Sequence, residues 1–112
     1  MKNFERDSEG KLWGENLARK AMELSKKLEE AGEANVNKNK LKRLGARLSA
    51  SRDPYEALAH LARFYPLKGV PEEVINHLVE ELGKLELESF KNLYALGLRF
   101  YEAKLEGWRA ES

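Results

Sequence analysis

The stretch Asp53-Pro54-Tyr55-Glu56 has the residue order of a helix start, and it decides the fold class. An aspartate before a helix caps it by accepting a backbone hydrogen bond. A proline at the first helical position loses nothing by lacking an N–H, and a glutamate three residues after the cap completes a capping box. The stretch predicts a helix that stops before Pro66. Its predicted buried face consists of Leu58, Leu61, Ala62 and Tyr65.

Downstream, residues 66–70 form a predicted loop, and Pro71 opens a further helix with Glu72 and Glu73 in its first turn. Its predicted buried face consists of Val74, Ile75, Leu78, Val79 and Leu82. Gly83 is expected to end or kink this helix, since glycine is a poor helix former.

The last predicted helix starts near Glu86 or Glu88 and runs to about Trp108. One stripe at helical spacing consists of Phe90, Leu93, Tyr94, Gly97, Tyr101, Leu105 and Trp108. Leu96, Phe100 and Ala103 widen it, so this helix has two apolar sides. The aromatic residues either pack in the core or leave one side to face a second copy of the chain.

Upstream, a helix capped by Ser8 is expected to run to about Ala31, where Gly32 stops it. A second helix over residues 38–50 follows, capped by Asn37. Its apolar stripe consists of Leu41, Leu44 and Leu48. The small residues Gly45 and Ala46 are expected to admit another backbone at close range.

These elements predict an all-α protein, a compact bundle of about five helices in one domain over residues 1–112, with residues 1–8 as a loose leader. No segment alternates apolar and polar residues over more than a few positions, so no strand is predicted. Cysteine is absent, which excludes disulfides and zinc ribbons and fits a cytoplasmic protein. No apolar run is long enough for a signal peptide or a membrane span.

Charge is segregated along the chain. Residues 34–52, the basic segment, contain no acidic residue and carry +6, so the rest carries −5 of the net charge of +1. The basic residues are Lys38, Lys40, Lys42, Arg43, Arg47 and Arg52. On a helix, Lys38, Lys42, Arg43 and Arg47 fall away from the apolar stripe and form a basic face. Such a face is typical of a phosphate-backbone partner, although it also occurs as mere solvated surface.

No catalytic constellation is recognisable. His60 and His77 lie on different helices, and neither has a matching metal ligand at helical spacing. The adjacent carboxylates, such as Glu80 and Glu81, diverge by about 100° on a helix and are interpreted as solvated. There is no glycine-rich phosphate loop and no nucleophile with a base at a familiar spacing. We therefore predict a protein that is not an enzyme and needs no cofactor or metal.

The order of the segments resembles a known family. Its pieces are a helix starting Glu15-Asn16-Leu17-Ala18, a connector and basic helix Asn37-Lys38-Asn39-Lys40-Leu41-Lys42-Arg43, and Phe90-Lys91-Asn92-Leu93 leading to Phe100-Tyr101-Glu102-Ala103. Together they resemble the small subunit of type III-A CRISPR–Cas effector (Csm) complexes. The small subunit of the sister type III-B complex is a related alternative.

This resemblance implies a non-catalytic role in antiviral defence. Small subunits of that family stack along the crRNA filament and line the channel in which target RNA pairs with the guide. Other Cas subunits perform the chemistry. The six basic residues would contact RNA phosphates and read no sequence. Implied partners are the crRNA and target RNA backbone, other Cas subunits, and further copies of the chain by stacking or dimerisation.

Two other functions remain open. A helical adaptor could bind a partner protein through its basic helix and its apolar last helix. Alternatively, the turn at residues 49–53 could join the second and third helices into a helix-turn-helix motif that binds DNA. In that motif, however, the recognition helix is usually the second of the pair, and here the basic residues lie on the first.

Overall fold

A computed structural model describes residues 13–65 and 67–108 of the chain. The helices are α1 (Gly14–Ala31), α2 (Lys38–Ala50), α3 (Pro54–Phe64), α4 (Glu72–Lys84) and α5 (Leu87–Leu105), with a 3₁₀ turn at Glu33–Asn35. No strand occurs in these two ranges, so the prediction of an all-α bundle of about five helices is confirmed. The predicted leader and Ser8, the predicted cap of the first helix, lie outside the described residues. The predicted start of that helix after Ser8 is wrong, because Trp13 is extended and α1 begins only at Gly14.

The two longest helices, α1 and α5, form the most extensive helix pair of the bundle. They approach closely at Gly97, where a Cβ atom would come within 2.7 Å of Leu24 Cδ2. The other helices follow in order around this pair: α2 packs on α5 and α3, α3 packs on α4, and α4 returns to α1 and α5. One continuous apolar core therefore joins all five helices.

The predicted helix starts at α2 and α3 are confirmed. The Asp53 carboxylate accepts a hydrogen bond from the backbone N–H of Glu56 at 2.9 Å. Asn37 caps α2 in the same way, accepting from the N–H of Lys40 at 3.0 Å. The bounds of α2 are those predicted. Local capping chemistry therefore sets both starts.

The predicted buried face of α3 is wrong. Residues that are buried there are Ala57, Leu61 and Phe64. Of the predicted set only Leu61 is buried, and Leu58, Ala62 and Tyr65 are exposed. Both sets have helical spacing, but α2 and α4 cover only one narrow stripe of this short helix. The Tyr65 hydroxyl instead donates to the Glu72 carboxylate outside the core, at 2.7 Å.

Three expectations for α4 are corrected. Val79 is exposed, and the helix continues through Gly83 to Lys84. Glu81 is not solvated but 2% exposed, and both of its carboxylate oxygens lie 3.1 Å from Lys20 Nζ of α1. The pairing with Lys20 explains this, because a carboxylate can enter a core only with a partner for its charge.

The end of α5 also differs from the prediction. The helix stops at Leu105 rather than near Trp108. Gly107 adopts a φ of 105°, and its N–H bonds to the carbonyl of Lys104 at 3.0 Å. The N–H of Trp108 bonds to the carbonyl of Ala103 at 3.0 Å. These two bonds define a Schellman motif, which closes the helix at a glycine and turns Trp108 back along it.

Candidate nucleic-acid interface

Helix α2 is held firmly on the bundle by its inner side. Leu41, Leu44 and Leu48 are buried as predicted. The buried Tyr94 hydroxyl of α5 donates to the carbonyl of Leu41 at 2.6 Å. The Tyr94 ring also covers Gly45, where a Cβ atom would lie 3.0 Å from Cε2. An aromatic ring, not a backbone as predicted, therefore occupies the space that Gly45 leaves.

Ala46, the other small residue predicted to admit a backbone at close range, is exposed. Both ends of α2 are held by hydrogen bonds to neighbouring segments. The N–H of Asn37 donates to the carbonyl of Gly69 at 2.8 Å. At the other end, Lys91 Nζ of α5 donates to the carbonyl of Ser49 at 3.0 Å, where a cation also complements the helix dipole. Any ligand on the outer side of α2 would thus meet a preformed helix.

Five of the six predicted cations lie on α2 and Arg52 lies just beyond its end, and the structure divides the six into two groups. Lys38, Arg43 and Arg47 are exposed. None of their three side chains makes a hydrogen bond or an ion pair with another residue of the described ranges. Arg43 points away from the apolar stripe, and Arg47 follows one turn later, about 6 Å along the helix axis. The two guanidinium groups can therefore reach the same strand of a polyanion.

The other three cations have partners within the chain. Lys40 Nζ donates to the carbonyl of Lys68 at 2.6 Å. Lys42 Nζ lies 3.6 Å from a carboxylate oxygen of Glu102 on α5. Both the backbone N–H and the guanidinium of Arg52 donate to Glu56, and these bonds lower the pKa of that carboxyl. We name Lys38, Arg43 and Arg47 the free cations of α2 and expect them to be its main anion contacts.

An aromatic residue beside the basic segment was not among the predicted site residues. Tyr55, in the first turn of α3, is 82% exposed. It lies three residues after Arg52, at the corner where α2 gives way to α3. The signal was present in the sequence, since Tyr55 falls outside the apolar stripe of its helix. An exposed tyrosine beside cations is a suitable platform for an unpaired base.

A groove of about 430 Å³ runs between α2 and α5 next to the basic face. Its polar rim has mixed charge and includes Lys42, Arg99 and Glu102. In the described ranges, no group of three His, Cys, Asp or Glu residues could hold a metal ion. The rim offers no convergent set of like groups that would favour one small ligand.

The two histidines lie on different helices, His60 on α3 and His77 on α4. Burial lowers the pKa of His77, although the nearby Glu81 carboxylate opposes this.

No helix of the described part of the chain is both long and apolar enough to cross a membrane. No protein family, curated protein or solved structure matches this chain. Its function is therefore inferred from its own residues.

Proposed function

We propose that this protein is a non-catalytic RNA-binding subunit that holds the phosphate backbone of RNA on the outer face of α2. The observation that carries this proposal is the group of free cations, Lys38, Arg43 and Arg47, on a helix whose caps and inner contacts fix its position. The resemblance to the small subunits of type III CRISPR–Cas complexes supplies the biological setting. There the protein would line the channel for crRNA and target RNA, in the cytoplasm, against other Cas subunits.

Binding through α2 would be independent of sequence. Lysine and arginine contacts to phosphates position a nucleic acid but do not distinguish its bases. The two arginines add a planar donor group that can engage a phosphate through two hydrogen bonds. Because the helix is already ordered, little conformational entropy is lost when the backbone binds. Tyr55 would add stacking for unpaired bases at the corner beside Arg52.

The salt dependence of RNA binding directly tests the proposed phosphate contacts of α2. With three free cations and about 0.7 counterions released per single-strand phosphate, log K should fall with log salt at a slope of about −2. If the three partnered cations also engage RNA, the slope approaches −4. Fluorescence anisotropy with a labelled 20-nucleotide oligouridine, over a series of salt concentrations, measures it. The double variant Arg43→Glu/Arg47→Glu should bind at least tenfold more weakly and with a shallower slope.

A matched control changes the charge equally on other surfaces. Lys26 of α1 and Lys84 of α4 are exposed and, within the described ranges, have no charged partner. The double variant Lys26→Glu/Lys84→Glu therefore has the same net charge as the α2 variant. It should keep most of the affinity and the original slope. Equal losses in both variants, or no loss in the α2 variant, would contradict a binding face on α2.

A protein partner is the second candidate, because the basic face already contacts carboxylates of its own chain. Lys42 lies near Glu102, and Arg52 binds Glu56. An acidic surface of another protein could extend this pattern. Affinity purification from lysate with and without RNase separates the two functions. Recovery of guide RNA with large Cas subunits supports the RNA-binding subunit, whereas one partner retained after RNase treatment supports the adaptor.

A further inference from the structure

Helix α5 leaves an apolar surface only partly covered on the side away from α2. We name this surface the α5 patch, and it consists of Leu96, Phe100, Ala103 and Trp108. Three of these residues lie within about 60° of one another around the helix axis. Trp108 reaches the same surface because the Schellman motif turns the chain back. The patch is therefore a product of the helix and of its C-terminal cap together.

The patch has a defined shape. The rings of Phe100 and Trp108 stack with centroids 5.7 Å apart and planes inclined by 19°. Trp108 remains 43% exposed. Next to this stacked pair, Ala103 leaves a depression, so that a large projection and a small recess lie side by side. Such a surface fits a partner that places a recess opposite the projecting pair and a projecting side chain opposite the depression at Ala103.

One edge of the patch carries a charge of each sign. Arg99 and Glu106 lie seven residues apart, two turns, and therefore on the same edge. Neither forms an ion pair within the described ranges. On the opposite edge Lys104 is already occupied, donating to Ser25 at 3.0 Å and to Glu29 at 3.2 Å. Arg99 and Glu106 are thus the charges beside the patch that remain for a partner.

A twofold axis perpendicular to α5 matches this pattern. Such an axis sets two helices antiparallel and brings the same edge of each together in reverse order. Arg99 of one copy then meets Glu106 of the other, and the pair occurs twice. With the axis between residues 102 and 103, Phe100 lies opposite Ala103 and Gly107 of the second copy. A parallel pairing would bring different edges together and lose both ion pairs.

We propose that the α5 patch is a self-association surface through which two copies form an antiparallel, twofold-symmetric dimer. The proposal does not depend on RNA binding, because α2 and its cations lie on the other side of α5. Four apolar side chains per copy make a contact smaller than the standard interface of about 800 Å² per partner. We therefore expect a dimer that forms in the micromolar range and dissociates on dilution.

Sedimentation equilibrium between about 5 and 500 μM tests the surface. The apparent mass should rise from 12.8 kDa toward twice that value and stop there, since a twofold contact closes. The variant Phe100→Glu should remain monomeric over the whole range. Tyr55→Glu places the same charge at an exposed aromatic on α3 and should dimerise like the unmodified chain. Circular dichroism confirms that both variants are folded.

Charge exchange tests the geometry without touching the apolar residues. Arg99→Glu and Glu106→Arg should each weaken self-association at least tenfold, because each places like charges opposite one another twice. An equimolar mixture of the two variants should dimerise again, since every edge pair is then of opposite sign. The double variant Arg99→Glu/Glu106→Arg should also recover the dimer.

Several results would overturn the proposal. One is a monomer at 500 μM, and another is an apparent mass that passes twice 12.8 kDa, which means open stacking. The same holds if Phe100→Glu is folded and dimerises normally, or if the mixed charge variants stay monomeric. Should Phe100→Glu fail to fold, the charge variants alone decide, because Arg99 and Glu106 are exposed.

Discussion

Two helical glycines of this protein occupy opposite environments. At Gly97 a Cβ atom would lie 2.7 Å from Leu24 Cδ2 and 3.1 Å from Leu24 Cβ. Since Cβ is fixed to the α1 backbone, that side chain cannot simply rotate away. At Gly83 nothing lies within 4 Å of the same position. One glycine is thus required by packing, and the other only weakens its helix.

The substitution Gly97→Ala should lower the free energy of unfolding by about 1–2 kcal/mol. Overpacking costs about 1–3 kcal/mol, and the gain in helix propensity offsets up to about 1 kcal/mol of it. Gly83→Ala is the matched control and should raise stability by up to about 1 kcal/mol. Urea unfolding measures both. A stabilised Gly97→Ala variant would mean that α1 and α5 are not held as closely as described.

Ionisation of Tyr94 should lower the stability of the protein at alkaline pH. Burial raises the pKa of its hydroxyl above the ordinary value of 10. Above pH 10 the unfolded chain therefore releases this proton while the folded protein retains it, which favours unfolding. The stability that the neutral phenol contributes is present below pH 10 and is lost as the pH rises, by about 1 kcal/mol per pH unit.

The variant Tyr94→Phe separates this effect from other titrations. At pH 8 it should be about 1 kcal/mol less stable, because the hydrogen bond to Leu41 is gone. At pH 11 the difference should shrink toward zero, since the variant has no proton to lose at this position. The raised pKa of Tyr101 affects both proteins and cancels. A difference that stays constant with pH would show that Tyr94 ionises freely.

At the scale of elements, an ion pair between the partly exposed Lys20 and the buried Glu81 joins α1 to α4. Lys20 Nζ lies 3.1 Å from both oxygens of Glu81, whose residue is 2% exposed. A buried pair contributes little net stability compared with apolar residues, but removing one partner leaves an uncompensated charge in the core. The pair therefore constrains which helix faces meet more than it stabilises them.

The variant Lys20→Met should lower the free energy of unfolding by about 3 kcal/mol at neutral pH, because Glu81 stays buried without its partner. Adding Glu81→Met should recover most of this loss. A double-mutant cycle by urea unfolding gives the coupling energy. Additive losses in the two single variants would indicate that the pair is solvated.

Element boundaries and element faces were predictable to different degrees. The starts of α2 and α3 follow from Asn37 and Asp53, because caps act over three residues of chain. The end of α5 was predicted too late, because the apolar stripe continues to Trp108 and gave no sign of the cap at Gly107. The buried face of α3 was not decided locally. Two stripes with helical spacing compete there, and only the positions of α2 and α4 choose between them.

At the scale of the whole molecule, the basic face and the α5 patch are separate surfaces. Tyr94 and Glu102 lie on the side of α5 that meets α2. The patch occupies the other side of the same helix. Variants at one surface should therefore leave the other unaffected, so Arg43→Glu/Arg47→Glu and Phe100→Glu serve as controls for each other. This separation also allows a dimer to present both basic faces to solvent.

The sequence by itself determined the all-α class, the limits of α2, and the presence of six cations on one segment, because caps, helical period and charge order are local properties. The tertiary structure decided which of those cations are free. Lys40, Lys42 and Arg52 find acceptors brought by folding or by the next helix, and the free cations of α2 do not. It likewise decided that Glu81 is buried. Glu56 is only four residues from Arg52, but the partners of Lys40, Lys42 and Glu81 are distant in the chain, and no local pattern identifies them.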